Sequence, residues 1–432
     1  QRRSGSPNGM GGGMTSLRIT NVHLVDPEHQ TIELGNLSIK NGRIATDDPT
    51  LPSFDGQGKY LAPGIVDIGV KVCEPGERHK ESFRSAGLSA AAGGVTTLIT
   101  RPDTNPAVDS PETLEFASRR AQATCAVRSY QIAALTKGRL GKEMTEIGFL
   151  QDAGAIAFSD CDAVVTNTKV LARALTYARQ LGALVIGHPQ DPGLSEGAAA
   201  TSGKFATLRA IPAVSPMAER LGLERDLAMV EMTGAKYHAD QLSTALALPA
   251  LERAKQQGLD VTAGVSIHHL TLNELDVADY RSFFKVKPPL RSEEDRLAMI
   301  SALANGLIDI ISSMHTPQDE ESKRLPYEQA ASGAVALETL LPAALRLYHA
   351  EQLSLPQLFR ALSLNPSRRL GLDSGRLSLG SPADLLIFDP DMPFVLDRFS
   401  LRSKSKNTPF DGQRLQGRVL ATFVGGKEVY TR

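Results

Sequence analysis

Side chains that can do acid–base, nucleophilic or metal chemistry follow short apolar runs at several places in the chain. Carboxylates, imidazoles, amines and thiols recur there, and these groups serve as proton donors, proton acceptors, nucleophiles or metal ligands. The segments are DIGVKVCEPG (67–76), RPDTNP (101–106), FSDCD (158–162), GHPQD (187–191), YHADQLST (237–244), IHHL (267–270), KPPLRSEEDR (287–296) and SSMHTP (312–317). If the apolar runs are the strands of a parallel barrel, these side chains meet at its carboxyl-terminal face, where barrel enzymes place their chemistry.

The elements that must position these residues alternate between strand and helix over residues 64–371. The stretch ETLEFASRRAQATC (112–125) has apolar residues at helical spacing, and longer helical stretches separate the short apolar runs. The clearest apolar runs are TTLIT (96–100), AIAFSD (155–160), LVIGH (184–188), VTAGVSIHH (261–269) and IDIISSMH (308–315). Such alternation predicts a parallel sheet with helical crossovers, and about 300 residues of it match a (β/α)8 TIM barrel.

The two ends of the chain have a different pattern. Residues 15–63 and 372–432 carry short β-like runs punctuated by Asn, Gly and Asp, which predicts that they pair into one small composite β domain beside the barrel. Residues 1–13 are rich in Gly, Ser and Arg and lack an apolar segment. We interpret them as a disordered cloning remnant rather than a signal peptide.

Composition excludes several classes of protein. The 432 residues include 47 Lys+Arg and 48 Asp+Glu, a formal net charge of −1 that provides no basic field for nucleic acid. No apolar run reaches the ~18 residues that a membrane span needs. The three cysteines are too few and too scattered for a disulfide framework, which fits a reducing compartment. We therefore expect a cytoplasmic protein that binds neither nucleic acid nor membrane.

Several longer motifs resemble those of one family. The chain is similar to dihydroorotases of the cyclic amidohydrolase superfamily over almost all of residues 17–430. The resemblance rests on APGIVD (62–67), PPLRSEEDR (288–296), GSPADLLIFDP (380–390) and SKSKNTPFDG (403–412), which are specific together although each is weak alone. It implies a (β/α)8 barrel with a composite β domain and a role in pyrimidine biosynthesis.

The resemblance also shows where this sequence departs from the family at the zinc site. The family's HxH pair falls on Gly69 and Lys71, its HxxHxST ligand falls on Gln241, and its catalytic aspartate falls on Met314. Glycine has no donor atom, a charged ammonium has no free lone pair, and a thioether cannot carry a proton in acid–base catalysis. His238 persists in the HxxH segment, but only His188 and Asp160 match the ligand pattern, and a catalytic zinc needs about three protein ligands.

Substrate-contacting positions differ as well. The family's carboxylate-binding arginine has become Cys73, and two family asparagines have become Asp103 and Lys287. We therefore expect no catalytic residue, no metal ligand and no cofactor. The positions of the family site are expected to be vestigial; they are Gly69, Lys71, Cys73, Asp103, Asp160, His188, Gln241, His268, Lys287 and Met314.

Individual residues leave alternatives open. His188 could be a remaining ligand or a hydrogen-bonded barrel histidine. Lys71 could replace part of the lost zinc charge by pairing with Asp160, could face water, or could act as a Schiff-base amine. Cys73 and Cys161 could be reactive thiols or simply buried ones. Packing is the expected role of His268, His269 and His315.

The function predicted from these departures is that of a pseudo-enzyme. The resemblance is to the inactive dihydroorotase that is the noncatalytic chain of aspartate carbamoyltransferase. It therefore implies a hetero-oligomer with that enzyme, in multiples of three of each chain. Two alternatives remain open: an active cyclic amidohydrolase with a rebuilt site, with or without a metal, and a small-molecule sensing module that uses the old pocket.

Overall fold

The computed structural model describes residues 15–432. The interpretation of residues 1–13 as a remnant lies outside the described residues. Strands and helices are numbered below in chain order. Within residues 15–432, no helix combines the length and the apolar character needed to cross a membrane.

The first five strands precede the barrel. They are β1 (Leu17–Asp26), β2 (Thr31–Lys40), β3 (Arg43–Ala45), β4 (Ser53–Asp55) and β5 (Tyr60–Pro63). β1 pairs antiparallel with β2, and its other edge pairs in parallel with β4 and β5.

Eight parallel strands form the nearly closed barrel in chain order. They are β6 (Ile65–Val70), β7 (Val95–Thr100), β8 (Arg128–Ala133), β9 (Ala157–Phe158), β10 (Leu184–Gly187), β13 (Lys236–Ala239), β14 (Val261–Ser266) and β15 (Ile310–Ser312). A separate two-stranded parallel ribbon, β11 (Ala200–Thr201) and β12 (Ala213–Val214), lies between β10 and β13 in the sequence. Beyond the ends of the first and last barrel strands, the Lys71 amide donates to the His315 carbonyl over 2.9 Å. The predicted TIM barrel is confirmed.

Apolar side chains of these strands fill the barrel interior. Every residue of β6 and β7 is buried, as expected for parallel strands covered on both faces. The interior cluster consists of Val66, Ile68, Ile99, Ile132, Ala157, Leu184, Ile186 and Ile310. The barrel interior is therefore a packed apolar core rather than a channel.

Helices connect the strands. The side chain of Ser82 caps α1, and Ser110 caps α2, which has Pro111 in its first turn. The helices are α1 (Phe83–Ala92), α2 (Pro111–Thr124), α3 (Ile147–Asp152), α4 (Thr168–Gln180), α5 (Pro192–Ser195), α6 (Lys204–Arg209), α7 (Met217–Thr233), α8 (Leu248–Gln256), α9 (Ile267–Thr271), α10 (Glu293–Ala304), α11 (Glu320–Arg324), α12 (Leu340–His349), α13 (Leu355–Phe359) and α14 (Asn365–Leu370).

The last three strands complete the second sheet. β16 (Leu385–Val395), β17 (Arg414–Val424) and β18 (Lys427–Thr431) extend it in the order β18-β17-β16-β5-β1-β2-β3, so both chain ends share one sheet as predicted. A buried ion pair joins this sheet to the barrel: Arg128 on β8 donates to the Asp384 carboxylate over 2.8 and 3.2 Å. The Asp384 side chain is only 1% exposed.

Candidate active site at the barrel mouth

A bulge at Gly69 shapes one side of the barrel mouth. The pairing register of β6 with β7 shifts between Ile68 and Val70, and Gly69 has a φ of 90°, which favours glycine. A Cβ at position 69 would lie 3.0 Å from the sulfur of Met314. The Met314 thioether therefore fills the space that a side chain at position 69 would enter.

Lys71, Arg101 and Asp103 form an ion cluster at the mouth. Arg101 donates two hydrogen bonds to the Asp103 carboxylate, over 3.1 and 2.8 Å, and a third to Thr316 over 3.1 Å. The Lys71 Nζ lies 3.6 Å from the same carboxylate. The three side chains are mostly shielded from water, with exposed fractions of 17% for Lys71, 12% for Arg101 and 8% for Asp103.

The charges of this cluster are coupled. Burial alone would raise the pKa of Asp103, but the adjacent Arg101 and Lys71 outweigh it, so that the pKa lies below its ordinary value. Burial opposes the charge of Arg101 as well, and Asp103 more than compensates, so that the pKa of Arg101 is raised. The cluster is therefore one carboxylate held between two cations, with an excess of positive charge.

Asp160 has a different role from the one predicted. Its carboxylate accepts the backbone N–H groups of Leu135 and Thr136, each over 2.9 Å, and also the Thr136 hydroxyl. Burial raises the pKa of Asp160 in spite of these donors. Of the alternatives open for Lys71, pairing with Asp160 is not observed, because Asp160 is engaged by the residues that follow β8 while Lys71 lies beside Asp103.

A second charged group surrounds Asp162. Arg139 donates to its carboxylate over 2.9 Å, and Lys287 donates over 3.3 Å. Burial would raise the pKa of Asp162, but Lys287, His188 and the nearby arginines lower it. His188 is neutral at pH 7, since burial lowers its pKa to about 4 against the attraction of Asp162.

Asp240 is a mouth residue that the sequence reasoning missed. It follows β13 directly, and burial raises its pKa to about 6, although the positive charge of Arg101 opposes the shift. A carboxyl group with that pKa can exchange protons near neutral pH. The signal that could have found Asp240 and Arg101 is their position: each immediately follows a barrel strand, within segments already recognised as polar.

The remaining family-site histidines are packed within the barrel. His238 is 1% exposed and its Nδ1 lies 2.8 Å from the Thr262 hydroxyl. His268 is 2% exposed and stacks on Phe410, with ring centroids 6.0 Å apart. Burial lowers the pKa of each imidazole to about 3. Both side chains are therefore neutral, and neither can act as an acid at neutral pH.

The two cysteines near the mouth are buried thiols rather than reactive ones. Burial raises the pKa of Cys73 to about 12 and that of Cys161 well above its usual value, so neither is a thiolate at neutral pH. Gln241 is partly exposed next to Asp240 and has a positive φ of 54°. His269 contacts a different segment of the chain: its Nε2 lies 2.9 Å from the Pro288 carbonyl oxygen.

The donor set does not fit the zinc that the fold family implies. Within residues 15–432, no group of three or more His, Cys, Asp and Glu side chains is arranged to hold a metal ion. The Met314 thioether and the Gly69 backbone occupy the position of the missing ligands, and the nearby cation Lys71 repels a second positive charge. The mouth offers instead cations that can hold an anion and a carboxyl group that can exchange a proton.

Comparison with known proteins first defines the class. The fold matches the amidohydrolase TIM barrel: the L-hydantoinase (dihydropyrimidinase) from Arthrobacter aurescens has a TM-score of 0.88 and 26% identity, covering 97% of this chain and 96% of that one. A dihydropyrimidinase from Brevibacillus agri has the same fold, with a TM-score of 0.83. The family model "Dihydro-orotase-like" matches residues 58–246.

Curated relatives then specify the family. The chain is 37% identical to the dihydroorotase of Desulforapulum autotrophicum over 424 residues, 96% of this chain and 99% of the relative. It is 38% identical to that of Wolbachia sp. subsp. Drosophila simulans and 35% identical to that of Aquifex aeolicus, in each case over 96% of this chain. The chain belongs to the dihydroorotase family, and its place is in pyrimidine biosynthesis.

The expectation of a pseudo-enzyme is wrong. Relatives that align over nearly the whole chain carry the name of the active enzyme, and the structural neighbours are hydantoinases. The prediction rested on the replaced zinc, catalytic and substrate-contacting positions of the family site. It overlooked Arg101 and Asp240, which lie at the same mouth.

Proposed function

We propose that this protein interconverts dihydroorotate and carbamoyl aspartate as a cyclic amidohydrolase whose mouth is rebuilt around charged side chains. The observation that carries the proposal is the Lys71–Asp103–Arg101 cluster at the catalytic end of a barrel whose full-length relatives are named dihydroorotase. The reaction adds water across a ring amide: the C–N bond breaks, the carbonyl carbon takes the water oxygen and becomes a carboxylate, and the ring N–H gains a proton and becomes the ureido NH2.

The two cations supply the substrate's binding energy. Both ligands carry a carboxylate, and carbamoyl aspartate carries two. Arg101 is fixed by its bonds to Asp103 and Thr316, so that it meets a ligand with little loss of side-chain freedom. Lys71 lies farther from Asp103 and has a compact charge, which suits the oxyanion that develops when water adds to the ring carbonyl.

Asp240 supplies the proton transfer. As a carboxylate above pH ~6 it takes a proton from the attacking water, and as an acid it returns that proton to the ring nitrogen as the C–N bond breaks. Burial raises the pKa of Asp240, whereas Arg101 and Lys71 lower the pKa of Asp103 and keep it ionised. The two carboxyl groups therefore have different roles.

The test follows dihydroorotate by its ultraviolet absorbance and carbamoyl aspartate by a colour assay for the ureido group. Wild-type protein is expected to turn over, and Lys71→Met and Asp240→Asn are each expected to lose about 10²-fold or more. Asp279→Asn is the matched control, because Asp279 is 88% exposed and pairs with Arg209 rather than with Lys71, Arg101 or Asp103. Absence of turnover in the wild type in both directions would refute the proposal.

We further propose that the chain assembles with aspartate carbamoyltransferase. The supporting argument is chemical: that enzyme makes carbamoyl aspartate, the compound that this site takes up. Light scattering of the mixed proteins is expected to give one stoichiometric hetero-oligomer, with a trimeric partner favouring multiples of three. Two separate peaks, one for each unassociated protein, at micromolar concentrations would refute the assembly proposal. The proposal of dihydroorotate turnover would still be decided by the turnover assay.

A further inference from the structure

A basic cavity lies outside the barrel mouth, between α1 and α2. Its volume is about 380 Å³, and four cationic side chains line it: Arg78, Arg84, Arg120 and Lys404. The lining shares no residue with the Lys71–Asp103–Arg101 cluster. A cavity of this size is within the range that takes a small metabolite.

A buried carboxylate orients part of the cationic lining. Glu74, whose side chain is 1% exposed, accepts the Arg120 Nε–H over 2.7 Å, and the Arg78 Nε lies 3.4 Å away. The same carboxylate accepts the Phe83 amide over 3.0 Å at the start of α1. Glu74 therefore holds two guanidinium groups in place from below.

The other two cations have no carboxylate partner. Among the ion pairs formed by residues 15–432, neither Arg84 nor Lys404 has an acidic partner; the Lys404 ammonium donates to the Arg78 carbonyl over 2.8 Å. Four cationic side chains thus line the cavity, and two buried carboxylates lie beside it: Glu74, and Glu81, which accepts the Lys404 amide over 3.2 Å and the Ser85 hydroxyl. This imbalance is unfavourable unless a multiply charged anion or solvent ions compensate it.

We propose that this cavity binds the polyphosphate group of a nucleotide-sized metabolite. Four cations against Glu74 and Glu81 leave an excess of two positive charges, and a polyphosphate carries enough negative charge at neutral pH to offset it. Guanidinium groups pair with phosphate oxygens in two-pronged hydrogen bonds, and an ammonium adds a mobile point charge. A monoanion would leave half of this excess uncompensated, which favours the polyphosphate over a simple carboxylate ligand.

The test measures binding of inorganic pyrophosphate, ATP and adenosine to the full chain by calorimetry. Pyrophosphate and ATP are expected to bind, with an affinity that weakens as salt is added, and adenosine is not expected to bind. The variant Arg84→Gln/Lys404→Gln is expected to bind pyrophosphate at least about tenfold more weakly, since each charge-assisted bond contributes about that factor. Arg78 and Arg120 are left intact because Glu74 needs them.

Two controls make the outcome decisive. Arg119→Gln/Lys169→Gln removes the same charge from exposed positions outside the cavity lining and is expected to leave binding unchanged. Thr124→Glu places a carboxylate in the cavity wall and is expected to abolish binding, whereas Gln122→Glu on the exposed side of α2 is not. Pyrophosphate binding that is absent in the wild type, or equally weakened in the exposed control, would overturn the proposal.

Discussion

Removing the guanidinium of Arg101 should destabilise the fold far more than removing the ammonium of Lys71. In Arg101→Met, the 8%-exposed Asp103 carboxylate loses both close hydrogen bonds and keeps only an ammonium at 3.6 Å. Leaving one buried charge without its partner typically costs about 3–5 kcal/mol. In Lys71→Met the Arg101 bonds remain, so the loss should stay near ~1 kcal/mol.

The pH dependence of this effect has a definite sign. The folded-state pKa of Asp103 lies below the unfolded value of about 3.9, so the ion cluster stabilises the protein above that pH and loses its effect as the pH falls through the folded pKa. The difference between wild type and Arg101→Met should therefore be largest near neutrality and should shrink below pH ~4.

Urea unfolding followed by circular dichroism measures both quantities. Arg119→Met is the matched control, because Arg119 is 76% exposed and pairs only with Glu115 on its own helix; a loss under about 0.5 kcal/mol is expected. The double variant Arg101→Met/Asp103→Leu should recover much of the loss, since it removes both charges. Equal losses for Lys71→Met and Arg101→Met would refute the reasoning.

Three further predictions concern other parts of the molecule. Gly69→Ala should cost about 1–3 kcal/mol in urea unfolding, because φ is 90° and the new methyl group meets the Met314 sulfur; Met314→Ala in the same chain should relieve only the steric part. Turnover should rise with pH through about 6 as Asp240 ionises, and a profile flat from pH 5 to 8 would contradict the role of that carboxylate. Asp384→Ala should cost about 3–5 kcal/mol by stranding Arg128 between the two sheets, whereas Asp279→Ala at an exposed position should cost less than 1 kcal/mol.

The strands and helices could be predicted from the sequence because they depend on local patterns of apolar, polar and capping residues. Runs such as TTLIT and LVIGH are too short for helices and are followed by polar residues, and they form β7 and β10 in the barrel. The helix expected at 112–125 is observed at Pro111–Thr124, where Ser110 supplies the cap. Both β-rich ends join one sheet as expected.

The site is less predictable because its geometry depends on one backbone irregularity. In a regular strand the side chains at positions 69 and 71 would point the same way, but the bulge at Gly69 breaks that alternation. Lys71 consequently lies beside Asp103 rather than Asp160. The burial that raises the pKa of Asp240 arises from residues distant in the sequence, and no local pattern reports it.

Under the proposed function, charged side chains rather than a zinc centre carry the chemistry at this barrel mouth. The most direct test measures dihydroorotate ring opening by protein whose metal content is determined before and after chelation, with Lys71→Met assayed in parallel. Turnover is expected to survive removal of metal and to be lost in Lys71→Met. Stoichiometric zinc whose removal abolishes turnover while Lys71→Met remains active would contradict the proposed function.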